Sequence, residues 1–307
     1  MPILIAAGAV LLFLILPAAV LTITLFSRKR IADFDQVPPD FNWSTYLPYR
    51  SELLSAISAM RGEPHEEVET ESDGAVLKAE FYFRGYNRTA ILMHGYCSTP
   101  MNNCALIGSA LLKRGYNLLL VHQRAHNKSE GRFTFLGSKE QYDLLKWIEW
   151  TEHRVPAGRI VLYGVSMGAA AIGFASDKIK TQSIRAMVLD CCIASPYCQM
   201  TGNGKAIRLT LLPVILLIGL FARIFIGLNI RSDMRESLKN THLPALFIGG
   251  SADAKSPVRL IEDCRSKCGS ESELMMISGA PHALTLAQAS DEERERVFDF
   301  LEKHINT

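Results

Sequence analysis

At 307 residues the chain can hold one large domain or two ordinary ones, at roughly 150 residues each. Hydrophobic side chains make up 48% and charged ones 21%, a globular balance that excludes disordered and low-complexity classes. Lys and Arg total 33 against 31 Asp and Glu, a formal net charge of +2. No basic run is long enough to track phosphates, so no nucleic-acid partner is expected. The seven cysteines are an odd number in a chain too large to need disulfide staples, which fits a reducing compartment.

The first segment, Pro2–Phe26, contains no ionisable side chain. Its 25 residues, at about 1.5 Å rise each, suffice to cross a hydrocarbon core roughly 30 Å thick. No basic residue precedes it and it is longer than a signal-peptide core, so an uncleaved transmembrane anchor is expected. Arg28, Lys29 and Arg30 follow it, which by the positive-inside rule leaves the rest of the chain in the cytoplasm. The expected organisation is an anchor with its basic flank over residues 1–30, a linker over 31–65 carrying Pro38, Pro39 and Pro48, and one domain over 66–307.

That domain opens with two strand-like runs, 68–71 and 76–83, around Asp73-Gly74, a hairpin signal. Short continuous apolar runs follow at 90–93, 118–121, 160–163, 186–189, 245–248 and 274–277, with helical stretches at 103–114 and 139–153. Such runs, separated by helices, predict an α/β architecture whose mostly parallel sheet is covered on both faces. One insertion, at about 195–237, is far longer than an ordinary crossover, and its centre at 209–228 is apolar almost all round. A second membrane span there would split the sheet across a bilayer. A helical lid over a pocket, able to rest on a bilayer surface, is expected instead.

Chemistry enters at Gly164-Val165-Ser166-Met167-Gly168. The G-x-S-x-G spacing alone carries little, but an apolar strand runs into it and Ala169-Ala170-Ala171 runs out as a helix start. Strand, sharp turn and helix in that order lift a serine oxygen clear of the sheet above a helix N-terminus. A serine hydroxyl needs a base, and the base needs an orienting acid. His282 follows the last strand across Ser278-Gly279-Ala280-Pro281, at the carboxyl edge where catalytic groups of open α/β sheets collect. Asp253 stands in the turn after the preceding strand and is the expected acid, with Asp190 at another strand end in reserve.

The order Ser166, Asp253, His282, together with His94-Gly95-Tyr96, Arg124 and Ser129-Glu130-Gly131, resembles the α/β-hydrolase superfamily from about residue 66 onward. More narrowly, it resembles membrane-anchored bacterial serine hydrolases of the serine aminopeptidase/lysophospholipase-like branch. The chain departs from that branch at Ser251, usually acidic, at Asn127, usually glycine, and at Pro281, where glycine usually precedes the histidine. The resemblance implies an α/β-hydrolase fold, and an oxyanion hole from the backbone amides of Met167 and Tyr96. His94 is expected to be a buried residue shaping its loop, and Arg124 a tie for the loop after its strand. His122 and His126 have no third ligand nearby in sequence, so no metal is expected. Cys191, Cys192, Cys264 and Cys268 read as small packed side chains. No phosphate-binding loop occurs, and no cofactor is expected.

The expected function is cleavage of a carboxylic ester or related acyl bond through an acyl-enzyme on Ser166. The partners expected are the membrane and a small-molecule or lipid acyl substrate. Alternatives are a peptidase or amidase with the same three residues, and a non-catalytic membrane-tethered binding protein on the same fold.

Overall fold

A computed structural model describes residues 2–37, 44–201 and 212–306. Eight strands form one sheet in the order β1-β2-β4-β3-β5-β6-β7-β8. They are β1 (Glu66–Ser72), β2 (Ala75–Tyr82), β3 (Arg88–Met93), β4 (Asn117–Val121), β5 (Arg159–Val165), β6 (Ile184–Asp190), β7 (Ala245–Gly250) and β8 (Ser272–Ile277). The first two make a hairpin in which Ser72 faces Ala75 across Asp73 and Gly74. Both turn residues have positive φ, 48° and 67°, as a tight two-residue hairpin turn demands. β2 pairs antiparallel with β4, and from β4 to β8 every pairing is parallel.

The parallel strands are apolar at their centres because both faces are covered. Ala90 and Leu92 of β3 face one core, beneath α2 (Arg50–Arg61), α3 (Pro100–Lys113), α10 (Thr285–Gln288) and α11 (Asp291–Ile305). Ile91 and Met93 face the other, beneath α4 (Glu140–Arg154), α5 (Met167–Ala175), α8 (Met234–Leu238) and α9 (Val258–Ser266). A third apolar cluster joins α1 (Pro2–Phe26), α6 (Pro196–Thr201) and α7 (Leu212–Phe221) to Met167, just past the end of β5.

Two expectations for the N-terminal region are corrected. First, the transmembrane anchor is not supported, because no helix among the described residues is long and apolar enough to cross a membrane. Along α1 the side chains of residues 13–26 are described. Within that stretch Ala18, Thr22 and Phe26, spaced four apart on one helical face, are buried against protein. Second, the supposed linker contains α2, whose Leu53, Ile57 and Met60 pack into the core beside α3. Pro38 and Pro39 lie outside the described residues.

The segment after α1 is stitched to the loop that follows β4. The amide of Lys29 donates to Ala125 O at 2.7 Å, and Asn127 N donates back to Lys29 O at 3.0 Å. The Asn127 side chain clamps Ile31 twice, accepting from its amide at 2.7 Å and donating to its carbonyl at 2.8 Å. Asn127 has φ 40°, a left-handed conformation that asparagine tolerates and that accounts for glycine being usual there. Of the expected apolar lid centre, residues 209–211 lie outside the described residues. Residues 212–226 form α7 and the π-helical turn Ala222–Ile226.

Candidate active site

β5 delivers Ser166 at the carboxyl edge of the sheet, and α5 begins at the next residue. Ser166 has φ 55° and ψ −109°, a strained backbone for any residue with a Cβ. Its amide donates to Asp190 O at 2.8 Å, and its carbonyl accepts from Ala170 N at 2.9 Å, which hold the strain in place. The flanking glycines are sterically required. A Cβ on Gly168 would collide with the Met93 carbonyl, and one on Gly164 with the backbone of Gly168 and Ala169.

Three loops converge on this turn. The Ser166 hydroxyl donates to His282 Nε2 at 2.8 Å, and His282 Nδ1 donates to Asp253 Oδ2 at 2.7 Å. The second Asp253 oxygen, Oδ1, accepts from the amides of Lys255 and Ser256, each at 2.8 Å. Burial works against ionisation of Asp253, but the bond from His282 and those two amides outweigh it and hold its carboxyl below the usual range. The carboxylate is thus charged, oriented and shielded, and it keeps the imidazole proton on Nδ1. Ser251 Oγ accepts from Gly279 N at 2.8 Å, tying the Asp253 turn to the His282 turn.

The other sequence candidates fall elsewhere. Asp190 is buried and accepts from Thr285 Oγ1 and Tyr163 Oη, each at 2.7 Å, and makes no hydrogen bond to His282 among the described residues. Burial pushes its carboxyl up despite those bonds. Arg124 lies buried and forks onto Asp143 at 2.9 and 2.5 Å, while donating to Ser72 O at 2.9 Å. His94 Nδ1 bonds to Gly95 O at 2.8 Å while Nε2 accepts from Gln123 N at 3.1 Å, and burial with nearby His126 drives its pKa well down. His122 and His126 point to different partners, Glu80 Oε1 at 3.4 Å and Arg124 O at 2.9 Å. Cys191, Cys192 and Cys264 are buried, and Cys268 is half-buried. One His/Cys/carboxylate trio among the described residues converges within 4.8 Å, Cys191 with Asp253 and His282. Two of its members are already bonded to each other.

The His94-Gly95-Tyr96 loop comes up to the serine. A Cβ on Gly95 would sit 3.3 Å from Ser166 Cβ, and Asn103 Oδ1 holds the Gly95 amide at 2.8 Å. Neither the Tyr96 amide nor the Met167 amide donates to an acceptor among the described residues. The Tyr96 hydroxyl donates to Leu25 O at 2.6 Å, linking this loop to α1.

Ser166 and His282 open on a cavity of about 370 Å³, whose wall includes Arg30, Tyr96, Asn103 and Lys255. A second, apolar chamber of about 310 Å³ shares Tyr96 and Gln199 with the first and is walled by Leu25, Phe26, Ile215 and Ile218. The place of Arg30 in this wall has no signal in the sequence, where residues 28–30 read as the flank of an anchor. Lys255 was within reach of a sequence reading, two residues past Asp253 in the same turn.

The sheet order, the strained turn and the Ser–His–Asp hydrogen-bond chain define an α/β-hydrolase. Solved structures of other proteins share the fold. The esterase Pf2001 of Pyrococcus furiosus superposes with a TM-score of 0.65 at 22% identity, over 90% of this chain and 100% of that one. The acylaminoacyl peptidase of Pyrococcus horikoshii gives 0.59 at 14% identity, over 80% of this chain and 43% of that one. A relative in Bacillus subtilis (strain 168), the uncharacterized protein YqkD, is 26% identical over 220 residues, 70% of this chain and 71% of its own. The family model for X-Pro dipeptidyl-peptidase (S15 family) matches residues 44–219, and the chain belongs to that family. It is a hydrolase of the serine type. The matched region contains the Ser166 turn and the Tyr96 loop but ends before Asp253 and His282, so those two residues rest on geometry.

Proposed function

We propose that the protein cleaves a carboxylic ester or related acyl bond by covalent catalysis at Ser166. The observation that carries this reading is the continuous hydrogen-bond chain from Ser166 Oγ through His282 to Asp253, at 2.8 and 2.7 Å. His282 Nε2 takes the hydroxyl proton as Ser166 Oγ attacks the substrate carbonyl. The oxyanion forms against the Met167 and Tyr96 amides. Collapse expels the alcohol with the proton from His282, and water, deprotonated by the same ring, releases the acid. Asp253 keeps the ring in its tautomer and stabilises the imidazolium.

The apolar chamber beside Tyr96 supports a hydrophobic acyl group over a polar one. A peptidase with the same residues is the second reading, favoured by the S15 family match. Hydrolysis of 4-nitrophenyl esters of graded chain length, set beside Ala-Pro-4-nitroanilide, tests both. Turnover that peaks at a medium chain and vanishes in Ser166→Ala supports the ester reading. Faster cleavage of the anilide would transfer the assignment to the peptidase.

A further inference from the structure

The cavity that holds Ser166 and His282 has a charge that the proposed reaction does not use. Arg30 and Lys255 both line it, and no Asp or Glu does among the described residues. Neither cation has a hydrogen bond or ion pair among the described residues. The nearest acidic neighbours of Arg30 in sequence, Asp33 and Asp35, are both bound to Arg61. Asp253, beside Lys255, is committed to His282.

Arg30 is exposed, but the backbone that carries it is held in place. It sits between Lys29 and Ile31, each bonded to the loop after β4 through backbone or Asn127. Lys255 is fixed through its amide on Asp253 Oδ1 at 2.8 Å. Asn103 adds a neutral donor to the same wall, because its Oδ1 is occupied by Gly95 N and its amide NH₂ has no acceptor among the described residues. Two cations and an amide around a reactive serine make an anion-seeking wall, and the apolar chamber on the far side of Tyr96 has the opposite character.

We infer that the natural substrate is an amphiphile: its acyl part is apolar and occupies the Ile215–Ile218 chamber, and its leaving part carries a carboxylate or phosphate held by Arg30 and Lys255. This rests on the ester reading above and names its substrate class. It also opposes removal of dipeptides from a free N-terminus, because an α-ammonium in this cavity would meet like charge with no carboxylate among the described lining residues to receive it.

The test compares 4-nitrophenyl butyrate with 3-carboxy-4-nitrophenyl butyrate, which differ by one carboxylate on the leaving group. The kcat/KM of the carboxylated ester divided by that of the neutral one is read in wild type, Arg30→Gln and Lys255→Gln, so that the leaving groups' intrinsic reactivity cancels. The ratio should fall about fivefold in each variant, mainly through KM, and fall in wild type as ionic strength rises. Arg30→Lys should restore most of it. A phosphate in place of the carboxylate separates the two anions, the better substrate naming the preferred one. If both esters are cleaved through Ser166 with the same ratio in all forms, this inference fails and the ester reading stands. If neither ester is cleaved, both fall. A thermal transition recorded for each variant verifies folding, and the neutral ester reports its intact chemistry.

Discussion

Ser166 illustrates how the residue scale is set by its surroundings. A non-glycine residue at φ 55° costs of the order of 1–3 kcal/mol, tolerated because β5, α5 and the Asp190 carbonyl fix both flanks. Two carboxylates stand near this turn, and hydrogen bonding separates their roles. Asp253→Asn should lower kcat by about 10⁴, because an amide no longer holds the proton on Nδ1. Asp190→Asn keeps the His282–Asp253 bond, so its main effect should be on stability, with kcat reduced by about tenfold or less. Steady-state kinetics of the two variants side by side check this, and the reverse order would reassign the acid.

His126 gives a pH dependence of stability. Burial lowers its pKa from 6.5 to about 4, with Lys29 and Arg28 adding to the effect. Between those values the unfolded chain binds a proton that the folded one refuses, so stability falls as pH drops from 6.5 to 4, by up to about 3 kcal/mol. Buried His94 acts in the same direction. Urea unfolding at steps across that window should show the decline in wild type and a flatter profile in His126→Gln.

At the scale of elements, what could be read depended on whether a pattern identifies its partner. The parallel strands were legible because short continuous apolar runs separated by helical stretches suit a doubly covered sheet. α1 was misjudged because apolar composition does not say whether lipid or protein covers it, and its buried face, Ala18, Thr22 and Phe26, is turned to the third apolar cluster. α2 was legible in principle: Leu53, Ile57 and Met60 follow helical spacing, but the prolines upstream masked it. α7 shows which of its side chains matter. Ile215 and Ile218 are buried at the apolar chamber, whereas Leu216 and Leu220 face outward. Ile218→Trp should therefore fill the chamber and raise KM for an octanoate ester about tenfold, with the acetate ester changed less than about twofold. Equal effects on both esters would remove the chamber from the acyl path.

For the molecule as a whole, the parallel α/β architecture and the three residues Ser166, Asp253 and His282 could be picked out because each sits at a strand end. The sheet's order could not, since the position of β4 between β2 and β3 depends on long-range pairing. Nor could the wall of the cavity, which exists only because the chain after α1 folds back along the loop at 124–133 and brings Arg30 beside a serine far away in sequence. Its construction from both ends of the chain is why the sequence shows the candidates Ser166, Asp253 and His282 but not the cations that line the cavity with them.

The central claim is that Ser166 is a nucleophile activated by His282. It is tested most directly by treating the protein with a fluorophosphonate and measuring intact mass, followed by peptide mapping. A single adduct on Ser166 is expected, absent in Ser166→Ala and formed far more slowly in His282→Ala. No adduct on the folded wild-type protein, or an adduct that persists in Ser166→Ala, would contradict the account.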